Sequence, residues 1–217
     1  MSETVKSAKG DLRVYLLLET LQPQFAAYLG TPTRARGYPP FAGQHSLIIE
    51  IAPGLMIERV IDLALKADPD LEPGILFVER QFGILEIHGS DKDKLLRAGA
   101  AILSGMQLAA ADQLAPKIVY TDMIEDVTDQ HAVIINRNRQ ASMIMPGETL
   151  LVMEVVPALY AAMAANVAEK AAPGLTLVDV QMIGAAGRLY MSGRTEDVRT
   201  GLGEIEHVLG NIKGRAA

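Results

Sequence analysis

The chain repeats itself at a spacing of 104 residues, and this repeat limits the possible folds more than any other feature of the sequence. When residues 43–99 are placed over residues 147–203, 15 of the 57 aligned positions are identical and no gap is needed. The shared glycines and prolines are Gly43/Gly147, Pro53/Pro157, Pro69/Pro173, Gly83/Gly187, Gly89/Gly193 and Gly99/Gly203. Because glycine and proline control backbone conformation, their retention indicates a retained backbone shape. The sequence therefore predicts two fused copies of one fold, an arrangement that typically builds a symmetric object.

The length and composition fit this prediction. The 217 residues can form two domains of about 100 residues, each large enough for its own core. Hydrophobic residues make up 49% of the chain and aromatic residues 5%, so we expect aliphatic cores rather than disorder. The net charge of −6 argues against a general nucleic-acid or anionic-membrane binder. The lack of cysteine excludes disulfides, thiolate metal sites and cysteine nucleophiles, and it suits the cytoplasm.

Targeting and membrane signals are not expected. Residues 1–10 are polar and lack the apolar core of a secretory signal. The longest uncharged apolar run, residues 155–165, is too short to span a bilayer, so we interpret it as buried helix.

The hydrophobic pattern predicts an α+β unit in each half. In the first half we expect strands over residues 12–18, 47–51, 75–78 and 84–87, a helix opened by Pro53, and a helix capped by Ser90 or Asp91 that runs to about residue 110. In the second half we expect strands over residues 117–120, 132–135, 150–155, 177–182 and 188–192, a helix opened by Pro157, and a helix capped by Thr195 that runs to about residue 212. The predicted domains are residues 11–113 and 114–213.

Catalytic patterns are not found in the sequence. His45, His88, His131 and His207 are scattered, and none has a partner at metal-ligand spacing. The chain also lacks a phosphate-binding loop of the GxxxxGK[ST] type and a GxSxG elbow. We therefore predict that the protein is not an enzyme and holds no metal or cofactor.

Three features have both a plain and a functional interpretation. Residues 184–187 (Gly-Ala-Ala-Gly) resemble a phosphate cradle, but a strand pattern follows them, which favours a tight loop. Lys66 and Lys170 share one repeat position at a helix end, where the helix dipole favours a cation, although their joint retention suggests a shared contact. Glu79 and Arg80 break the repeat after an apolar strand, and they form either a solvated turn or a functional pair.

Several segments together resemble one known family. In the second half they are Glu-Lys-Ala-Ala at residues 169–172, Leu-Val-Asp-Val at 177–180, and Arg-Leu-Tyr-Met-Ser-Gly at 188–193. Elsewhere they are residues 21–24, 27–30, 62–67, 78–83 and 131–137. Across residues 11–212 the chain resembles bacterial microcompartment shell proteins of the carboxysome type, specifically the trimer-forming subgroup with tandem, circularly permuted domains.

The resemblance implies a ferredoxin-like, circularly permuted shell domain in each half. It also implies a homotrimer that forms a pseudohexameric tile, two such trimers stacked around a chamber, hexameric and pentameric shell proteins as partners, and a place in a shell within the cytoplasm. The implied gate of a central pore for small metabolites is Glu79 and Arg80, and Gly83 would give the gate backbone freedom. The implied pore lining is Gln81, Phe82, Gly83, Gly184, Ala185, Ala186 and Gly187, and the implied tile-edge contacts are Lys66 and Lys170.

An alternative hypothesis is a metabolite-binding regulatory protein with paired α+β domains and a pocket between them. It predicts a discrete pocket with saturable binding and no tendency of the protein to assemble sideways into sheets. The loop over residues 31–41 carries Arg34 and Arg36, and the sequence leaves open whether they face a stacked trimer or solvent.

Overall fold

The computed structural model describes residues 10–31 and 37–216. The elements of the first half are β1 (Asp11–Leu18), α1 (Pro23–Leu29), β2 (His45–Ala52), α2 (Ile57–Ala67), β3 (Glu72–Glu79), β4 (Phe82–Gly89) and α3 (Lys92–Met106). Those of the second half are β5 (Lys117–Ile124), α4 (Asp129–Asn138), β6 (Thr149–Val156), α5 (Tyr160–Ala171), β7 (Thr176–Gln181), β8 (Gly187–Gly193) and α6 (Thr195–Asn211). Short 3-10 helices lie at Gly54–Met56 and Ala110–Asp112.

Each half contains a four-stranded antiparallel sheet with the same strand order. The orders are β1-β2-β4-β3 and β5-β6-β8-β7. The first strand of each sheet carries a register shift at the same place, between Leu12 and Val14 and between Ile118 and Tyr120. The predicted α+β repeat is thereby confirmed.

The spacing of the repeat changes once along the chain. The Leu21 amide donates to the Gln44 carbonyl, and the Val127 amide donates to the Glu148 carbonyl, in equivalent turns. Equivalent residues are therefore 106 apart from β1 to α1 and 104 apart from β2 onwards. The segment from the start of α1 to the start of β2 is thus two residues longer than its counterpart in the second half.

The first sheet is buried on both faces. Leu47, Leu85 and Ile87 pack on one face beneath α2 and α3. On the other face, Val14 and Ile84 belong to a core that also contains α1, α5 and the inner face of the second sheet. The two halves thus share one continuous core, which fixes α5 against both sheets.

Some predicted local features are wrong. Residues 132–135 belong to the helix α4, not to a strand, and α1 was not predicted at all. α3 ends at Met106, followed by Gln107 in a left-handed conformation (φ 56°), rather than near residue 110. Asp91 caps α3 as expected, but Thr195 begins α6 and its hydroxyl lies 2.7 Å from that of Thr149 instead of capping the helix. Arg34 and Arg36 lie outside the described residues.

Candidate pore loops and assembly surfaces

The predicted gate pair lies at the tip of the hairpin that joins β3 to β4. Glu79 ends β3 opposite Phe82, the first residue of β4, so Arg80 and Gln81 form the turn. Arg80 has a left-handed backbone (φ 46°), and its side chain is 91% exposed. Its Nε lies 3.8 Å from a carboxylate oxygen of Glu79, in a loose contact that solvent screens. Both charges are therefore presented at one end of the first sheet.

The second predicted pore loop lies at the equivalent end of the second sheet, between β7 and β8. Gly184 has a φ of 130°, a conformation that favours glycine, and Ala185 is exposed. Residues 182–186 carry no charge. The equivalent loops thus differ in chemistry, since one is charged and the other is small and neutral.

Gly83 and Gly187, at the base of the two loops, allow close packing. A Cβ atom at Gly83 would lie 2.1 Å from the carbonyl oxygen of Gly54, and one at Gly187 would lie 2.1 Å from that of Ala158. Neither glycine is among the described residues with positive φ. That Gly83 gives the gate backbone freedom stays a prediction. In the structure this glycine lets the 3-10 helix at Gly54–Met56, which precedes α2, pack against β4.

The two repeat-equivalent lysines lie in the last turns of α2 and α5. The Nζ atom of Lys66 lies 2.8 Å from an Asp62 carboxylate oxygen, one turn earlier on the same exposed surface. Lys170 is exposed, and it helps Lys92, the main cause, to hold the pKa of the Glu19 carboxyl below its usual range. Both lysines are exposed, as a contact at the edge of a tile requires, and neither lies in a pore loop.

The second half of the chain holds the N-terminus of α1. The backbone amides of Gln24 and Phe25 donate to the Glu169 carboxylate at 2.8 and 3.1 Å, and the amide of Gln22 donates to Asn166 at 2.8 Å. Within the described part of the chain, the Gln22 side chain makes no capping hydrogen bond. Glu169 therefore serves as the cap and complements the positive end of the helix dipole.

Further along α1, two side chains bind the β7 region. The Gln24 amide group donates to the Leu175 carbonyl at 2.7 Å and accepts from the Leu177 amide at 2.8 Å. The Tyr28 hydroxyl donates to the Val180 carbonyl, and burial raises the pKa of this phenol. We call the contact of β1 and α1 with α5 and β7 the internal interface.

Two apolar residues of the second half are exposed although their equivalents on the β1 and α1 side of the internal interface are buried. Tyr28 is 7% exposed, whereas its equivalent in α4, Ile134, is 61% exposed. Val14 on β1 is fully buried, whereas its equivalent on β5, Tyr120, is 56% exposed. Since exposed apolar side chains that form a patch mark interaction sites, Tyr120 and Ile134 define what we call the α4 surface.

The opposite side of the internal interface has an exposed counterpart too. Leu159, which precedes α5, is fully buried in the core that both halves share. Its equivalent before α2, Leu55, is 75% exposed. Leu55 and the adjoining face of α2 form what we call the Leu55 surface.

Other kinds of site find little support. Within residues 10–31 and 37–216, no group of three or more His, Cys, Asp or Glu side chains is placed to hold a metal ion. In the same ranges, no helix has the length and apolar character needed to cross a membrane. A shallow cleft of 310 Å³ lies between the halves, and its lining includes Tyr15, Gln113, Met163, Ile212 and Lys213. This cleft is a candidate site for the metabolite-binding hypothesis.

Sequence analysis did not identify the residues of the internal interface. Glu169 was noted only within a family motif, and Ile134 was assigned to a strand. The available signal was the repeat itself, because Glu169 aligns with the apolar Leu65 and Tyr28 aligns with Ile134. Such mismatches show where two copies of a fold meet different surroundings.

Comparison with known proteins points to one family. Residues 12–112 match the family described as the CsoS1D N-terminal domain. The carboxysome shell protein CcmP of Synechococcus elongatus is 43% identical over 205 residues, which cover 94% of this chain and 94% of CcmP. The carboxysome shell protein CsoS1D of Hydrogenovibrio crunogenus is 43% identical over 189 residues, which cover 87% of this chain and 90% of that protein.

Two solved structures share both sequence and fold with the chain. The double-ringed trimeric shell protein MSM0271 of the RMM microcompartment is 60% identical, with a TM-score of 0.92 over 96% of this chain and 100% of that one. The fused permuted hexameric shell protein MSM0275 of the same microcompartment is 44% identical, with a TM-score of 0.88 over 94% of this chain and 100% of that one.

Proposed function

Since the chain belongs to the family of carboxysome shell proteins that includes CcmP and CsoS1D, we propose that it is a structural tile of a bacterial microcompartment shell in the cytoplasm. Three chains join head to tail into a ring of six similar units around a central pore for small metabolites. The ring lies beside hexameric and pentameric shell proteins, and a second ring stacks on it. The chain has a structural role and is not an enzyme.

The observation that carries this proposal is that the internal interface is used once within the chain, while its two equivalent surfaces are exposed. The α4 surface corresponds to the first half's side of that interface, and the Leu55 surface corresponds to the second half's side. The α4 surface of one chain therefore fits the Leu55 surface of the next. Contacts between two different surfaces are heterologous and close into rings when the rotation allows, as the trimeric relative supports.

The interface between chains is less polar than the internal one. Where Glu169 caps α1, the equivalent residue on the Leu55 surface is Leu65. α4 has its own cap, since the Thr128 hydroxyl accepts from the His131 amide at 3.4 Å. α4 thus needs no carboxylate from a neighbour, and its contact with the next chain rests on apolar burial.

Native mass tests the ring. Three chains of 23.3 kDa give a trimer of about 70 kDa, and two stacked trimers give about 140 kDa. Ile134→Asp buries a charge in the proposed interface and is expected to yield monomers, because an unpaired buried charge is strongly unfavourable. Val133→Asp is the matched control, since Val133 is exposed and its equivalent, Ala27, stays exposed beside the internal interface.

A mixing experiment tests the head-to-tail direction. Leu55→Asp chains keep the α4 surface, and Ile134→Asp chains keep the Leu55 surface. Each variant alone is expected to be monomeric, whereas an equimolar mixture forms a dimer through one intact interface. A trimer of the Ile134→Asp variant, or no dimer in the mixture, would overturn this interface; a monomeric wild type would overturn the tile and favour the regulatory hypothesis.

The pore follows from threefold symmetry. Three copies of Glu79 and Arg80 come close to one axis, alternating with three copies of the neutral loop at residues 184–187. Arginine and carboxylate groups of neighbouring chains can pair across the opening or turn away from it. Three like charges near one axis are costly unless paired or solvated, so two arrangements of similar energy are expected, as a gate requires.

Alanine at both Glu79 and Arg80 is expected to leave the ring mass unchanged and to leave the pore open in every ring. Cryo-electron microscopy of the variant rings measures this, and Gln81→Ala in the same turn is the control. A closed pore in the double variant would show that the gate lies elsewhere.

A further inference from the structure

Arg13 lies at a β-bulge that directs its side chain across the first sheet. The register with β2 shifts between Leu12 and Val14, and bulges commonly re-aim a side chain. The Arg13 Nε atom donates to the Glu50 carboxylate at 2.6 Å. The guanidinium carbon lies 3.7 Å from the centroid of the Phe82 ring, which is a cation–π contact. We call the contacts of Glu50, Arg13 and Phe82 the Arg13 bridge.

The buried end of the Arg13 bridge is poorly compensated. The Glu50 side chain is 1% exposed, and within the described residues its Oε2 atom has no hydrogen-bond partner. Burial raises the pKa of the Glu50 carboxyl, although the bond to Arg13 acts in the opposite direction. The Tyr160 phenol of α5 also faces Glu50, and its hydroxyl donates to the Leu114 carbonyl. Glu86 of β4 lies on the same face of the sheet, since it pairs with Ile48, two residues before Glu50. Arg13 is therefore the described cation that balances this carboxylate.

The exposed end of the Arg13 bridge is part of the hairpin with the gate pair. Phe82 pairs with Glu79 across the turn and follows Arg80 by two residues. A contact that fixes the Phe82 ring therefore fixes one leg of the turn. The bridge links a buried carboxylate in the centre of the sheet to the two charged residues at its end.

The second half holds its own loop through the same acid but a different arginine. Val119 occupies the bulge position that corresponds to Arg13. Glu154, the equivalent of Glu50, binds the Nε atom of Arg188 at 2.9 Å, and Arg188 also donates to Gln181 at 3.3 Å. Arg188 and Gln181 flank the loop at residues 182–186, so each repeat ties its loop to this glutamate position.

We propose that Arg13 and Glu50 are positioning residues that hold the turn at residues 79–82 in one conformation, and that protonation of Glu50 loosens it. The proposal rests on the proposed role of this turn as the pore gate. A neutral Glu50 no longer attracts Arg13, so the guanidinium and the Phe82 ring separate more readily and the turn samples its second arrangement.

The expected pH dependence has a definite sign. Because the folded chain favours the neutral form of Glu50, protonation occurs at a higher pH than for an exposed glutamate. Turn mobility in the wild type therefore rises as the pH falls through this raised pKa. In Glu50→Gln an uncharged amide replaces the carboxyl group. The turn is therefore expected to be mobile at neutral pH, and its mobility should no longer change in this pH range.

Hydrogen–deuterium exchange of the assembled protein tests the bridge. Glu50→Gln is expected to speed exchange in peptides covering residues 79–83 by about threefold to tenfold at neutral pH, the range expected for losing one cation–π contact. Phe82→Leu and Arg13→Lys should act alike, because one removes the ring and the other the planar guanidinium. Glu154→Gln is the matched control, and it should speed exchange at residues 182–188 only.

Two outcomes would overturn the proposal. One is unchanged exchange of the turn in both Glu50→Gln and Arg13→Lys. The other is equal acceleration across the whole first half, which a merely stabilising pair would produce. Native mass is measured on the same samples, so loss of the ring, which speaks against the tile, is distinguished from loss of the bridge within an intact ring.

Discussion

α1 and α4 occupy equivalent places in the two halves, yet they are stabilised in different ways. α1 takes its N-terminal cap from Glu169 in the other half, whereas α4 takes its cap from its own Thr128. Tyr28 of α1 is buried, whereas its equivalent in α4, Ile134, is exposed. The copy that meets a partner within the chain has long-range polar bonds, whereas the copy that we propose meets another molecule has a local cap and exposed apolar side chains.

The two loops diverge in the same manner. Each is followed, at or next to the start of the next strand, by a glycine packed on a carbonyl oxygen, but only the first loop carries a charged pair. The shared part is the backbone contact, and the divergent part is the chemistry at the tip. Backbone packing therefore requires glycine at the same position in both copies, whereas the side chains at the tips of the two loops can differ.

Substituting the shared glycines is expected to have the largest effect. Gly83→Ala and Gly187→Ala each force a Cβ atom against a carbonyl oxygen, which overpacks a rigid region and costs roughly 1–3 kcal/mol. Denaturant unfolding at fixed protein concentration measures both losses, which should be similar. Gly203→Ala in α6 is the control, because no described heavy atom lies within 4 Å of its Cβ position, and this change should be neutral or stabilising. A neutral Gly83→Ala would contradict the close contact.

Removing the two helix caps sharpens the difference between α1 and α4. Glu169→Ala leaves two amides of α1 without their acceptor, one of them buried, and should cost about 1–3 kcal/mol. Thr128→Ala removes one exposed cap and should cost about 1 kcal/mol or less. Thermal unfolding compares the two variants with Glu169→Gln, which keeps an acceptor and should be milder than alanine. A larger loss of stability in Thr128→Ala than in Glu169→Ala would show that the local cap of α4 matters more than the long-range cap of α1.

The Tyr28 hydroxyl makes a smaller contribution that depends on pH. Tyr28→Phe leaves the Val180 carbonyl unpaired at a cost of about 1 kcal/mol. Because burial raises the pKa of the folded phenol above its ordinary value of 10.0, the unfolded chain ionises first and stability falls as the pH rises beyond that value. Unfolding measured between neutral and strongly alkaline pH should show a shallower fall for Tyr28→Phe. If the unfolding free energy of Tyr28→Phe falls with pH as steeply as that of the wild type, the Tyr28 phenol does not have a raised pKa in the folded chain.

The smallest effect on the fold is expected at the two lysines. Lys66→Ala and Lys170→Ala remove exposed charges, so unfolding and ring mass should stay as in the wild type. If both lysines contact neighbouring rings, electron microscopy should show fewer or smaller two-dimensional layers of rings for both variants. Lys92→Ala, an exposed charge outside the repeat position, is the control. Layers of normal size in both variants would show that the lysines do not contact neighbouring rings and interact only with the C-terminal ends of their helices.

Much of the fold could be predicted from the sequence because the alternation of apolar residues is a local signal, and the repeat shows the same backbone pattern twice. The strands from Leu12 to Leu18 and from Leu47 to Ile51 follow from side chains that alternate between, or fill, two buried faces. The loops at Glu79 and Gly184 also lie between the expected strands. Patterns of this kind depend on neighbours within a few residues.

The two missed helices were missed for different reasons. α1 has seven residues and takes its cap from Glu169, which lies 145 positions after Gln24, so no local pattern indicates a helix. The run from Ala132 to Ile135 is rich in β-branched residues and suggests a strand, but Thr128 caps a helix there. Its exposed isoleucine, Ile134, fits a partner molecule better than a core. A distant contact therefore decides α1, whereas in α4 the nearby cap at Thr128 prevails over the strand propensity of the residues that follow.

The internal interface also affects how the ring would assemble. Its two sides belong to one polypeptide, so it forms at an effective concentration of roughly millimolar, whatever the abundance of the protein. In a ring of three chains, half of the six contacts are then complete before any two molecules meet. A ring of six separate domains would require six molecules to associate, whereas a ring of this chain requires three. Fusion of the two copies thus lowers the molecularity of assembly and makes ring yield less sensitive to dilution.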